Sequence, residues 1–430
     1  INKQLTIKSE NGSAKCIVRA ANKSDHVFEI TADYVAISGF TVKESESGAG
    51  IYINESNFCV ITNNYCSDND DGIHLLDSKD NEIANNTCSY NNDGIYLNSS
   101  DRNEIINNTC SYNSVGIFLY DSDHDEITNN FCFYNFWSGI RLYYHSNFNQ
   151  ITNNTCSYND HDGINIYKFS TRNEITNNTC SYNNDGINLG TGYNQITNNT
   201  CSYNYEDGIF LDDSRDNQIT NNVLSYNFEY GIYLKDHSND NRIYLNNFID
   251  NANNAYVKKS EGNHWESPIK ITYTYKGKPY KNYTGNYWSD YKGNDTNNDG
   301  IGDTPYSTYS IKDWYPLMEP WENYFPKNKP PIASFTYKPE NPFVNQTITF
   351  DASSSYDPDG AIISYEWDFD DGCTATGKIV NYAYSSAGEY TVTLTVTDNS
   401  SLTNFTTRKI TVREEGIPNI SWNMTISATN

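Results

Sequence analysis

The chain has 430 residues, a net charge of −25 and a hydrophobic fraction of 37%, with 19% charged residues, and its length suggests two or three domains. Its polarity comes from Asn, Ser, Thr and 37 Tyr, residues that disfavour helices, while Thr and Tyr favour strands. The acidic balance argues against nucleic acid, which needs a basic footprint, and no run of 18 apolar residues is present to span a membrane.

The chain opens in a strand-like run, Ile1 to Lys8, without Met or an apolar leader, and reads as a mature or trimmed product. Asn-x-Ser/Thr sequons at Asn11, Asn54, Asn98, Asn282, Asn345, Asn404 and Asn423 fit a secreted surface protein. Asn282, Asn345 and Asn404 are the candidate glycosylation sites.

From about Ile37 to Asn251 a period of 21 to 24 residues dominates. An anchor Ile recurs at 61, 83, 105, 127, 151, 175, 196, 219 and 243, with Asn three residues later each time. A Gly-Ile pair recurs at 50, 72, 94, 116, 139, 163, 186, 208 and 231. Such a period means a solenoid. The units have no helical periodicity and lack a Leu-rich strand, which excludes a leucine-rich repeat. Three short strand-like pieces per unit, such as Glu82–Ile83, Thr87–Tyr90 and Gly94–Leu97, describe one coil of a parallel β-helix. About ten coils stacked at about 4.8 Å make a rod of roughly 45–50 Å.

Each repeat position then stacks on its own copies. Five residues after the anchor Ile stand Cys66, Cys88, Cys110, Cys132, Cys156, Cys180 and Cys201, then Leu224 and Phe248, which marks a buried apolar column. The thiols read as space-filling. Disulfides suit in-register side chains about 4.8 Å apart poorly, and metal binding lacks a Cys-x-x-Cys pair; both stay open as alternatives. Cys16, Cys59 and Cys373 read as solitary. The Asn column satisfies polar groups at one corner by amide stacking. The repeat Gly is expected to take a positive φ at the third corner.

Asp precedes the repeat Gly at 71, 93, 162, 185 and 207 and reads as a solvated turn column. Asp70-Asp71-Gly72 beside His74 looks like a hydrolase site but shares its pattern with the repeat background, and Arg141 and His161 lie on adjacent coils. Phe136, Trp137, Tyr143, Tyr144 and Phe169 cluster in the longer coils and are the candidate contacts for sugars or partner proteins.

The coils resemble the right-handed β-helix repeats of the NosD-like, carbohydrate-binding and sugar-hydrolase superfamily over residues 1–321. The run His26 to Val42 is similar to early coils of archaeal surface proteins of this group. Gly285-Asn286-Tyr287-Trp288-Ser289-Asp290-Tyr291, Asp299 to Tyr306 and Tyr315-Pro316-Leu317-Met318 are similar to its closing segment. Polysaccharide hydrolases with this fold cluster Asp on neighbouring coils, often with His and Arg or Lys. The resemblance therefore implies either such chemistry or a role in copper-centre maturation; the seven His show no paired ligand spacing.

Within the closing segment, Asp295-x-Asn297-x-Asp299-Gly300-Ile301-x-Asp303 matches the start of a calcium loop, with Ile301 contributing its carbonyl and Tyr306 where Glu usually stands. An Asx-rich turn is the competing reading. After a linker, Tyr365-Glu366-Trp367-Asp368-Phe369-Asp370-Asp371-Gly372 and Tyr384 to Tyr390 resemble a polycystic-kidney-disease (PKD) domain, an immunoglobulin-like β-sandwich of extracellular proteins. There Asp357-Pro358-Asp359-Gly360 is a second calcium candidate, through Asp357 and Asp359.

The expectation is an all-β chain: coils over 1–251, a closing segment over 252–321, a linker at 322–329, a PKD β-sandwich over 330–413 and a tail from 414 to 430. The expected function is a secreted structural protein of the cell envelope (surface layer, sheath or adhesive coat), with structural Ca²⁺. It would associate with itself, with other envelope proteins or with polysaccharide. A polysaccharide hydrolase or lyase and a glycan-binding adhesin are the rivals. No residue is assigned a catalytic role.

Overall fold

A computed structural model describes residues 1–326 and 328–415; the tail beyond Glu415, with sequon Asn423, and Lys327 of the linker lie outside the described residues. The chain divides into two units, Ile1–Phe325 and Pro326–Asn430.

The first unit is a parallel β-helix of three sheets with eleven, twelve and eleven strands, each sheet taking every third strand in chain order until the last strand of the second, Tyr287–Trp288, which follows the hairpin. The first sheet runs from Thr6–Lys8 to Arg242–Tyr244, the second from Ile17–Arg19 to Tyr287–Trp288, and the third from Phe28–Ile30 to Asn253–Lys258. The strands pair in register from rung to rung, so identical side chains meet: Ile83 on Ile105, Cys88 on Cys110, Ile95 on Ile117. The thiol column is continuous from Cys66 to Cys201 and fully buried. It continues through Leu224 and Phe248 to Trp288, whose ring stacks on Phe248 at 4.3 Å and closes the core. All ten cysteines are free thiols.

Two corners have the same amide device as the expected Asn column. At the expected corner, Asn86 Nδ2 donates to Ile61 O (2.7 Å) and to Asn108 Oδ1 (3.1 Å), and Asn86 N–H donates to the same oxygen (2.9 Å). The column of Asn69, Asn91 and Asn113 and the column of Asn81, Asn103, Asp125 and Asn149 repeat the scheme. At the third corner a Ser column runs beside it, Ser78 N–H donating to Ser100 Oγ at 3.1 Å. These bonds satisfy buried backbone groups that turns otherwise leave unpaired.

The repeat Gly does not take a positive φ; left-handed residues are instead non-glycines such as Asn85 and Tyr90. Gly is required for space, because a Cβ at Gly94 would lie 2.4 Å from the Gly116 carbonyl oxygen of the next rung. The closing segment adds a hairpin, Ile271–Tyr275 with Lys278–Asn282, and a satellite core of Tyr273, Tyr275, Leu317, Trp321 and Tyr324.

The second unit is a β-sandwich. A three-stranded sheet (Thr336–Lys338, Ile348–Asp351, Ile379–Tyr382) and a four-stranded sheet (Ile362–Asp368, Thr374–Thr376, Gly388–Asp398, Thr403–Val412) share a core of Phe335, Phe350, Trp367, Phe369 and Leu394.

Candidate functional site

In a strand, alternate side chains face out. On the third sheet the outward residues of successive rungs are Tyr52, His74, Tyr96, Phe118, Arg141, Asn165, Asn188, Phe210, Tyr233 and Tyr256. Spacing in the sequence alone gave no reason to link them, because residue type varies from rung to rung. Together they form a half-buried ladder: His74 to Tyr96 at 4.5 Å, Tyr96 to Phe118 at 5.1 Å, and the Arg141 guanidinium 5.5 Å from the Phe118 ring. His26 stacks on Tyr52 at 4.0 Å at the near end.

Beside this ladder a cleft of about 450 Å³ is lined by His26, Tyr52, Asp70, Asp71, His74, Asp93, Tyr96 and Phe118. His74 Nδ1 lies 2.9 Å from Asp71 Oδ2, and His74 Nε2 is shielded from water without a partner among the described residues. Burial, then the Asp71 carboxylate on the adjoining rung, pushes Asp93 up to about 7. Burial also raises Asp70, and raises Tyr96 to about 12. His26 Nδ1 accepts from Ala49 N–H at 2.9 Å, and burial lowers its pKa.

The expected Asp column is mostly buried and not solvated. Burial lifts Asp162 to about 6 and Asp207 to about 8. Asp185 Oδ1 accepts from Asp207 N–H and Asp207 Oδ1 from Tyr230 N–H, both at 3.0 Å, a structural use of the carboxylate. Asp71 meets the side chain three residues on, His74, as Asp162 accepts from Asn165 Nδ2 at 2.6 Å; what sets Asp71 apart is that its partner is an imidazole.

The five aromatic candidates fall into two groups. Phe136 and Trp137 meet edge to face, and Trp137 stacks on His161 at 4.4 Å. Tyr144 and Phe169 flank His145 beyond the other end of the strand Ile140–Tyr143. Arg141 joins the groups, with its guanidinium 5.9 Å from Trp137 and 4.9 Å from Tyr143. A further column, Tyr90, Tyr112, Tyr134, Tyr158, Tyr182, Tyr203 and Tyr226, stacks face to face at 4.7–5.4 Å along another corner, which leaves ring edges outward.

In the closing loop the acidic oxygens are held by the loop itself. Asp295 accepts from Asp299 and Gly300 N–H, Asn297 from Asp299 N–H, Asp299 from Ile301 N–H and Asp303 from Thr296 N–H. Ile301 is buried and pairs with Leu317. In the sandwich, Asp359 accepts from Lys329 N–H, while Asp357 Oδ2 is shielded without a partner among the described residues. A Cβ on Gly360 would lie 2.5 Å from that oxygen and 2.4 Å from Asn399 Oδ1. Asn345 is exposed, Asn282 is half-buried, and exposed Asn404 donates its amide to Pro331 O at 2.9 Å.

Residues 4–161 and 132–293 match the periplasmic copper-binding protein (NosD) family. The chain belongs to the NosD family. Residues 328–412 match the PKD domain family. The chain is 38% identical over 99 residues to a microbial collagenase of Vibrio alginolyticus, covering 23% of this chain and 12% of that protein. It is 44% identical over 72 residues to collagenase ColA of Clostridium perfringens, covering 17% of this chain and 6% of that one. The chain thus spans a small fraction of these relatives. Among solved structures, the PKD1 domain of Vibrio anguillarum Epp is 36% identical (21% of this chain, all of that chain, TM-score 0.19). The mannuronan C-5 epimerase AlgE6 A-module of Azotobacter vinelandii is 12% identical (60% of this chain, 83% of that chain, TM-score 0.48).

The family description raises copper. Among the described residues no three His, Cys, Asp or Glu side chains converge as a metal site. The seven stacked thiols have no exposed atom, and donation to the next thiol together with burial pushes Cys88 and Cys110 up, so they remain protonated. Cys180, which receives from Cys156 and Cys201, is drawn down, yet with no cation beside it in the closed core we assign it as a thiol too. This residue set does not fit a copper centre, which needs deprotonated, reachable ligands.

Proposed function

We propose that this NosD-family protein is exported, to the periplasm or beyond, and binds polysaccharide along the outward ladder of the third sheet. The observation that carries this reading is the run Tyr52–His74–Tyr96–Phe118–Arg141 beside the Asp71 and Asp93 carboxyls. Aromatic rings take the C–H faces of sugars, and carboxyls and imidazoles take their hydroxyls; a row at the rung spacing suits a linear polymer. The PKD unit adds a module of a kind carried by secreted proteins. Calorimetric titration with a panel of oligosaccharides tests it: Tyr96→Ala and Phe118→Ala each weaken binding about tenfold or more. Unchanged affinity in both variants overturns the reading.

A catalytic extension rests on Asp93, held up near 7, opposite the Asp71–His74 pair: two carboxyls in unlike environments are the arrangement that general acid–base chemistry on glycosides uses. Release of reducing ends, abolished in Asp71→Asn, supports it; no turnover on neutral and acidic polymers removes it. A role in an envelope coat draws on unbroken parallel pairing along the axis, which gives a stiff rod; imaging in the native envelope decides that. Calcium at Asp295, Asn297, Asp299, Ile301 and Asp303, and at Asp357 and Asp359, is proposed as a structural clamp.

A further inference from the structure

Two side-chain ladders of the β-helix lapse together at the turn of one coil, beside a pocket. The Ser column passes from Ser122 through Ser146 to Ser170 and resumes from Ser214 to Ser238. An adjoining column passes from Asp101 through Asp123 and Asn147 to Thr171. Between them stands Gly190-Thr191-Gly192, the turn of the shortest coil, 21 residues from Asn173 to Asn194. A Cβ at Gly190 would lie 1.9 Å from the Tyr167 ring, which would have to swing away, and one at Gly192 would lie 2.1 Å from the backbone oxygen Arg215 O. A notch of about 620 Å³ lies beside this turn, between the turn at Tyr167-Lys168-Phe169 and the turn at Asp213-Ser214-Arg215.

The notch has the chemistry of a selective subsite. Tyr167 forms an aromatic wall, with Lys168 Nζ 5.8 Å from its ring. Among the described residues neither Lys168 nor Arg215 takes part in an ion pair, although the chain carries an excess of 25 negative charges. Of the two notch carboxylates, Asp212 is matched by Lys235 at 3.0 Å, which leaves Asp213 against two free cations. An opening with an aromatic wall and two cations facing a single unpaired carboxylate, a surplus of one positive charge, suits a sugar bearing a carboxylate.

We propose that the notch is a subsite for a hexuronate residue, held by Lys168 and Arg215 with its ring against Tyr167, and that it gives the protein a preference for acidic polysaccharide. This rests on the polysaccharide reading of the third-sheet ladder, whose strands end at the notch.

The test titrates the full chain with an oligouronide and with the same oligomer after reduction of its carboxyls to alcohols. The expected result is binding of the oligouronide about tenfold or more tighter, equalised in the Lys168→Gln/Arg215→Gln double variant with affinity for the reduced oligomer unchanged. Tyr96→Ala weakens both oligomers alike. No acid preference in the native protein, or a preference that survives the double variant, overturns the subsite while leaving the ladder intact. If neither oligomer binds, the ladder reading falls, and free glucuronate decides the notch by itself. Shifts of the Gly190 and Gly192 amide resonances that vanish in the double variant then support it, and unmoved resonances overturn it.

Discussion

Asp71 Oδ2 meets His74 Nδ1 at 2.9 Å, whereas Asp185 and Asp207, at the same repeat position, accept from the backbone of the next rung. At Asp71 the column carboxylate is turned to a titratable side chain at the edge of a cleft, where Asp162 turns instead to the amides of Asn165 and Asn188. Asp71→Asn should therefore leave the fold nearly untouched, with a melting temperature within a few degrees of native, and change ligand binding or turnover at the cleft. A large loss of stability would place Asp71 back with the structural carboxylates.

Stability should rise on acidification. Asp93 and Asp207 have folded-state values near 7 and 8, above the 3.8 of the open chain. The unfolded chain releases these protons first, so the stabilisation is full below about 4 and is lost as pH rises through 7 to 8. The unfolding free energy from denaturant titration should fall between pH 5 and pH 8.5, by on the order of a few kcal/mol in total, and Asp93→Asn should flatten the slope.

Asp125 occupies an Asn position. Its Oδ2 is buried without a partner among the described residues, and burial pushes the carboxyl well up. At the equivalent place Asn103 and Asn149 donate Nδ2 to a Ser carbonyl of the preceding rung, at 3.1 and 2.9 Å. Asp125→Asn should stabilise the protein by about 1–2 kcal/mol at neutral pH, read from chemical unfolding, with a smaller gain in acid.

Gly94→Ala should destabilise by about 2 kcal/mol or more, because the new methyl would meet the Gly116 carbonyl, which belongs to the ladder and has no room to yield. Thermal melting checks this, and an unchanged midpoint would mean the rungs can part locally.

Thiol titration of the native protein should show Cys373 reacting fast and half-buried Cys16 more slowly, with the seven column thiols silent until unfolding. Addition of calcium should raise the melting temperature and a chelator lower it, with the difference reduced in Asp295→Ala if the closing loop holds the ion.

The repeat alone determined the architecture. A fixed period with Ile, Asn, Cys and Gly at constant offsets has one economical solution, in-register stacking of like on like, and Leu224 and Phe248 replacing Cys already marked that column as core. The closing segment and the sandwich were legible from Trp288 and from Trp367-Asp368-Phe369. The role of the repeat Gly was not, because its constraint comes from a carbonyl one rung away and leaves no local signature. Nor were the ladder of Tyr52, His74, Tyr96 and Phe118 and the notch at Gly190 to Gly192 readable in advance. These depend on unlike residues brought together across rungs, and only three-dimensional packing sets that.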